Sequence, residues 1–327
     1  MKICVFGAGA IGGHVAARLV SASGADVSVI ARGPTLAAIR SHGLILRSAG
    51  EEIVARPAVA TDDPYTLPPQ DLVIVALKAP SLPPLAEAIG HLLAADGCAV
   101  FLINGIPWWW RHGLPGAAAP LPLLDPQGAL WARVRPQRSL GCVVFSPNEV
   151  IAPAVIVHAG NNRYPVGEPD GTLSPRVKAA AEIFAKAGLE SEVSSDIRRI
   201  VWRKLATNAS SNPLCALTRL AFFQMGEDPE IRALSAGLMR ETLEVAAALG
   251  WDLRAEMDVE KLTRRADAKE RVRSSIMQDV RAGRPVEAEA LLGQTQAFAR
   301  ESGVAVPTID IVLPLLRGLN LSLHASP

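Results

Sequence analysis

A glycine-rich turn directly behind the first apolar run, short aliphatic runs alternating with amphipathic stretches, and a shift near Asp196 to long helical periodicities together predict the fold class. That class is an α/β N-terminal Rossmann-type domain followed by a mostly α-helical C-terminal domain. The expected division is 1–195 and 196–327. Continuous apolar runs suit strands buried on both faces of a parallel sheet. Candidates are Ile3 to Phe6, Val27 to Ala31, Leu72 to Leu77, Ala99 to Ile103, Gly141 to Phe145 and Ala154 to His158, with a helix from Gly13 to Ser21. From Trp108 to Pro136 the chain is rich in Pro, Gly and Ala and opens with three consecutive tryptophans, so it reads as a long or partly helical excursion. Those tryptophans either pack the excursion onto the sheet or form a lid.

The bulk properties narrow the partners. At 327 residues, 49% apolar and 20% charged, the chain suits two packed domains. A formal net charge of +1 offers no basic field for nucleic acid or an anionic membrane, so a small-molecule substrate is expected. No apolar run approaches the length of a membrane span. Met1 and Lys2 lead straight into the first strand, which argues against a signal peptide. Cys4, Cys98, Cys142 and Cys215 lack CxxC spacing and are expected as free thiols in a reducing cytoplasm. The six histidines show no metal-ligand spacing, so no metal is expected. Ala- and Leu-rich helices in the second half suit a homodimer interface and an ordinary core equally well.

The first strand runs into Gly7-Ala8-Gly9-Ala10-Ile11-Gly12 and then a helix, the dinucleotide fingerprint in its required setting. Gly7 permits the turn, Gly9 lets backbone approach a pyrophosphate, and Gly12 allows close packing of helix on strand. An acidic residue ending the second strand would accept the ribose hydroxyl of NAD, but this strand ends in Arg32, whose guanidinium suits the 2′-phosphate of NADP(H). A solvated surface arginine is the alternative. Lys78 and Asn104 follow the third and fourth strand candidates, where a doubly wound sheet places ligands, and each can serve cofactor or substrate or simply end its strand.

In the helical half Lys204, Asn208 and Asn212 recur at intervals of four and share one helix face. Pro213 is expected to end or kink that helix. One ammonium and two amides form a plausible cradle for a keto acid, although a polar row is commonly just a solvated face. A second cluster runs from Ser274-Ser275 through Gln278-Asp279 on a helix, breaks at Gly283-Arg284-Pro285, and resumes with Glu287 and Glu289 opening another helix. Carboxylates there also have an ordinary structural role.

Taken in order along essentially the whole chain, the fingerprint, Arg32, Lys78, Asn104-Gly105, the lysine row before Pro213, Ser274-Ser275, Gln278-Asp279 and Glu287 resemble the ketopantoate reductase family. The resemblance implies a general acid at Lys204, substrate amides at Asn208 and Asn212, a hydroxyl contact at Ser275 and an active-site glutamate at Glu287. It implies Lys78 and Asn104 near the nicotinamide and substrate, and hydride transfer from NADPH to the keto carbon of 2-dehydropantoate. A reductase of another small 2-keto acid, or a non-catalytic NADP-binding sensor, would share parts of this pattern.

Overall fold

The structure is a computed structural model that describes residues 1–22, 26–116, 118–264 and 275–325, excepting the side chains of Ser275, His324 and Ala325. Two compact units emerge: Met1–Ile103 with Pro107–Arg198, and Asn104–Ile106 with Arg199–Pro327.

In the first unit, aliphatic runs with two buried faces become strands of one sheet. The strands are β1 (Lys2–Phe6), β2 (Asp26–Ile30), β3 (Leu44–Ser48), β4 (Glu51–Ala55), β5 (Val59–Thr61), β6 (Gln70–Val75), β7 (Leu93–Leu102), β8 (Ser139–Cys142), β9 (Asn148–Ala152), β10 (Val155–His158) and β11 (Val166–Gly167). Seven of them form a sheet in the order β11-β8-β7-β6-β1-β2-β5, parallel throughout except for β11 on β8. The chain runs from β1 outward to β2 on one side and later to β6 on the other. The carboxyl end of β1 is therefore the switch point of the sheet, where such folds bind ligands.

The helices are α1 (Ala10–Ala22), α2 (Gly33–His42), α3 (Ala86–Leu92), α4 (Ala129–Arg133) and α5 (Pro175–Lys186), then α6 (Ile197–Thr218), α7 (Phe222–Glu227), α8 (Pro229–Ala248), α9 (Val259–Arg264), α10 (Ser275–Arg281), α11 (Gln294–Ser302) and α12 (Pro307–Ala325). All the described helices after α6 lie in the second unit.

One strand expectation is corrected. The run from Ala154 to His158 forms β10 outside the parallel sheet, in a separate four-stranded sheet ordered β4-β3-β10-β9. Only its pairing with β3 is parallel; β9 and β4 run antiparallel to their neighbours. Helix α1 packs against strands of both sheets, which is why it is buried well around its circumference, from Gly12 to Ala17 and at Leu19. His14 thereby becomes fully buried and stacks on His158 at 4.6 Å between ring centroids.

A second correction concerns Pro213. It does not end α6, which continues to Thr218. A proline in a helix interior forfeits one backbone bond. Here Ser210, Ser211, Leu214, Cys215 and Ala216 around it are all buried, and tertiary packing of that turn offsets the local cost.

The tryptophan excursion packs inward. Trp108, Trp109 and Trp110 are 1%, 1% and 2% exposed. Trp108 meets Phe101 of β7 edge-on at 5.5 Å. Arg198, itself buried, lies over the rings of Trp109 and Trp110 and donates to the carbonyls of Trp110, His112 and Pro169. Side chains so completely covered hold the segment to its unit and have no free face with which to meet a substrate.

Candidate active site

The glycine turn leaves β1 at Gly7, whose φ of +102° favours glycine, and a β-carbon there would stand 2.7 Å from Leu77. At Gly12 a β-carbon would run into the Gly7 carbonyl, so helix and turn can approach only with glycine present. Above Gly9 nothing lies within 4 Å, which leaves room for a phosphate against the backbone. Ala8, Ala10 and Ile11 complete the turn, and α1 begins at Ala10 with its free amides at that end. This crowding below and space above fit a pyrophosphate.

Arg32 immediately precedes α2, exposed, and among the described residues its side chain makes no capping bond to that helix. It is therefore available to an anionic ligand beyond β2. Lys78 follows β6 and is half-buried at the start of a short 3-10 turn, Ala79–Ser81. Fingerprint, Arg32 and Lys78 all belong to the first unit.

The remaining candidates gather in the second unit. Asn104 belongs there although it lies only two residues after β7, and its neighbour Ile106 donates its amide to the carbonyl of Ala290 at 2.9 Å. Lys204 on α6 donates from Nζ to Asn104 Oδ1 at 2.7 Å. Two turns further along the same face, Asn212 joins Asn104, Ile276, Asp279, Glu287 and Leu291 in lining one small pocket. Asn208 sits half-buried between Lys204 and Asn212. The backbone of Ser275 opens α10; its side chain and all of Ser274 lie outside the described residues.

Asp279 was singled out in the sequence without a role, and the structure makes it part of the pocket wall. Its Oδ1 receives both Nε and Nη2 of Arg284, at 3.1 and 3.0 Å. The spacing of five between them across a glycine turn was the available signal. Beside the guanidinium, the carboxylate of Asp279 repels an anionic substrate less than a bare one would.

What the two units offer is complementary chemistry: a cradle for a dinucleotide, and a polar pocket with an ammonium, amides and carboxylates. That combination defines a nicotinamide-dependent oxidoreductase. Comparison with known proteins makes the assignment specific. Residues 3–171 match the family model described as ketopantoate reductase PanE/ApbA, and residues 196–320 match its C-terminal counterpart. A 2-dehydropantoate 2-reductase of Mesorhizobium japonicum is 41% identical over 321 residues, covering 98% of each chain. Among solved structures, a PanE/ApbA family ketopantoate reductase from Ralstonia eutropha superposes with a TM-score of 0.83 at 26% identity, covering 99% of this chain and 100% of that one. A 2-dehydropantoate 2-reductase from Methylococcus capsulatus gives 0.81 at 27%, covering 100% and 99%. The chain belongs to the ketopantoate reductase family.

Proposed function

We propose that this protein reduces 2-dehydropantoate to pantoate with NADPH, and that Lys204 supplies the proton. The observation that carries the reading is the 2.7 Å bond from Lys204 Nζ to Asn104 Oδ1, which presents a half-buried ammonium near a pocket of amides and carboxylates.

The fingerprint backbone from Gly7 to Gly12 holds the pyrophosphate and Arg32 pairs with the 2′-phosphate, with Lys78 and Asn104 serving the nicotinamide end. NADPH, when bound, supplies the hydride that adds to the keto carbon. As the keto oxygen gains charge, the ammonium of Lys204 stabilises it and then gives up a proton from Nζ, so that the product is a neutral alcohol. Asn104 accepts from Lys204 through Oδ1, which aims the ammonium and leaves the amide Nδ2 free to donate elsewhere. Asn208 and Asn212 offer amide donors to the substrate carboxylate, Glu287 accepts from the substrate hydroxyl, and Ser275 adds a hydroxyl contact. The pairing of Asp279 with Arg284 limits repulsion of the incoming anion.

The test is steady-state oxidation of NADPH with 2-dehydropantoate and a panel of small 2-keto acids, comparing the wild type with Lys204→Ala. Turnover favouring 2-dehydropantoate is expected, with kcat falling about 10²–10⁴-fold in the variant and NADPH affinity retained. Preference for another 2-keto acid would replace the substrate. Tight NADPH binding without turnover of any acid would overturn the enzymatic reading in favour of a sensor. Sedimentation velocity at micromolar concentration decides whether the chain acts as a homodimer.

A further inference from the structure

The segment carrying Glu287 is anchored on both sides by a single helix far along the chain. Just before it, Val286 donates its amide to Asn320 Oδ1 at 2.8 Å, and Asn320 Nδ2 donates to the Val286 carbonyl at 3.0 Å. Just after it, Glu289 receives a two-pronged grip from Arg317, Nε to Oε1 and Nη2 to Oε2, each at 2.7 Å. Arg317 and Asn320 are three residues apart on α12 and so share a face.

Glu289 also opens an unusual turn. Residues Glu289–Gly293 are π-helical, and the amide of Gln294 bonds to the carbonyl of Glu289. In an α-helix that amide would bond to Ala290 four residues back. The wider register releases the Ala290 carbonyl, and Ile106 takes it at 2.9 Å. Gly105, with φ +80°, lies against the same carbonyl, where a β-carbon would collide with the Ala290 oxygen. Asn104, the acceptor for Lys204, is therefore held by the turn that Arg317 grips. Gly293 leaves room for the Glu289 carboxylate to fold back over the turn, since a β-carbon there would overlap Oε2. Single π-turns recur at functional sites because they redirect backbone groups in this way.

We infer that Arg317 and Asn320 are positioning residues: from α12 they fix the backbone on either side of Glu287, and Asn104 through the π-turn, and thereby set the geometry around Lys204. The bonds of the pair fall on Val286 and Glu289, the residues on either side of the Glu287 segment, so the positioning argued here acts through the backbone. The inference rests on the reaction proposed above only for its kinetic consequence; the mechanical link has its own readout.

The experiment compares wild type, Arg317→Met, Arg317→Lys and Asn320→Ala by hydrogen exchange of the Ile106 amide and by turnover at a temperature where circular dichroism shows each variant folded. Arg317→Met should speed exchange at Ile106 by tenfold or more while amides of β7 from Ala99 to Leu102 keep their wild-type rates, with Arg317→Lys intermediate. Both Arg317→Met and Asn320→Ala should lower kcat/KM for the keto acid by tenfold or more with NADPH affinity within twofold of wild type. Added to Glu287→Gln, Asn320→Ala should cost less than twofold further, since the carboxylate it orients is gone. Unchanged exchange at Ile106 in Arg317→Met, or full multiplication of the Asn320 and Glu287 effects, overturns the inference. If the wild type turns over no keto acid, the proposed reaction fails and the Ile106 exchange alone decides the positioning role.

Discussion

Arg32 is exposed at the start of α2, where a 2′-phosphate would meet it. A charge-assisted hydrogen bond contributes about 1.5–3 kcal/mol. Arg32→Ala should therefore raise KM for NADPH by roughly 10–100-fold while leaving KM for NADH almost unchanged. The ratio of the two constants measures it. His14 lies fully buried, its Nδ1 3.0 Å from the Tyr164 hydroxyl. Burial first, and then the neighbouring His158 and Arg18, push its pKa down to about 3. Below about pH 6.5 the unfolded chain binds a proton at this site that the folded protein refuses, so stability falls as pH drops from there toward 3. Its full contribution is present above 6.5, and the slope approaches about 1.4 kcal/mol per pH unit. Urea unfolding at pH 7.5 and 5.5 should show a loss that His14→Phe reduces.

At the scale of elements, periodicity was a reliable guide wherever a segment is long or buried on both faces. Strands β1, β2, β6 and β7 and helix α1 were legible for that reason. Strands β3, β4, β5 and β9 were not: they are short and partly exposed, and β4 shows the pattern Glu-Glu-Ile-Val-Ala with a single buried residue. Such segments become strands only when a partner arrives, because their preference comes from cross-strand packing. At Pro213 the local chemistry argues for a helix end, and burial of that turn overrides it. The tryptophan excursion rests on Arg198, whose pKa burial pushes down to about 10 although Asp196 and Asp170 oppose the shift. Arg198→Met would leave the carbonyls of Trp110, His112 and Pro169 without that donor. At about 1–3 kcal/mol for each orphaned buried acceptor, a loss of roughly 3 kcal/mol or more is expected in chemical denaturation.

For the whole molecule, the division into two units gives ligand binding a local address. NADPH held by the first unit stabilises its folded form by mass action, about 2.7 kcal/mol at a hundredfold excess over Kd. For a unit of this size that should raise its unfolding midpoint by about 5–10 °C. Scanning calorimetry with NADPH and with NADH at equal concentration should show the larger shift with NADPH. In Arg32→Ala the two shifts should converge. A midpoint indifferent to both cofactors would contradict the cradle at Gly7 to Gly12.

The sequence by itself determined the dinucleotide fingerprint, the arginine after β2, the Lys204-Asn208-Asn212 row and the family resemblance. Each of these depends on neighbours within a few turns or on the order of motifs along the chain. Tertiary structure alone decided that Asn104 belongs with the helical unit, that Asp279 lines the pocket with Glu287, and that α12 brackets Glu287 through Arg317 and Asn320. The first of those placements involves a released carbonyl at Ala290 and an amide at Ile106, separated by more than half of the chain. Backbone groups carry no side-chain identity, so a bond between two of them leaves no mark in the sequence until folding brings them together.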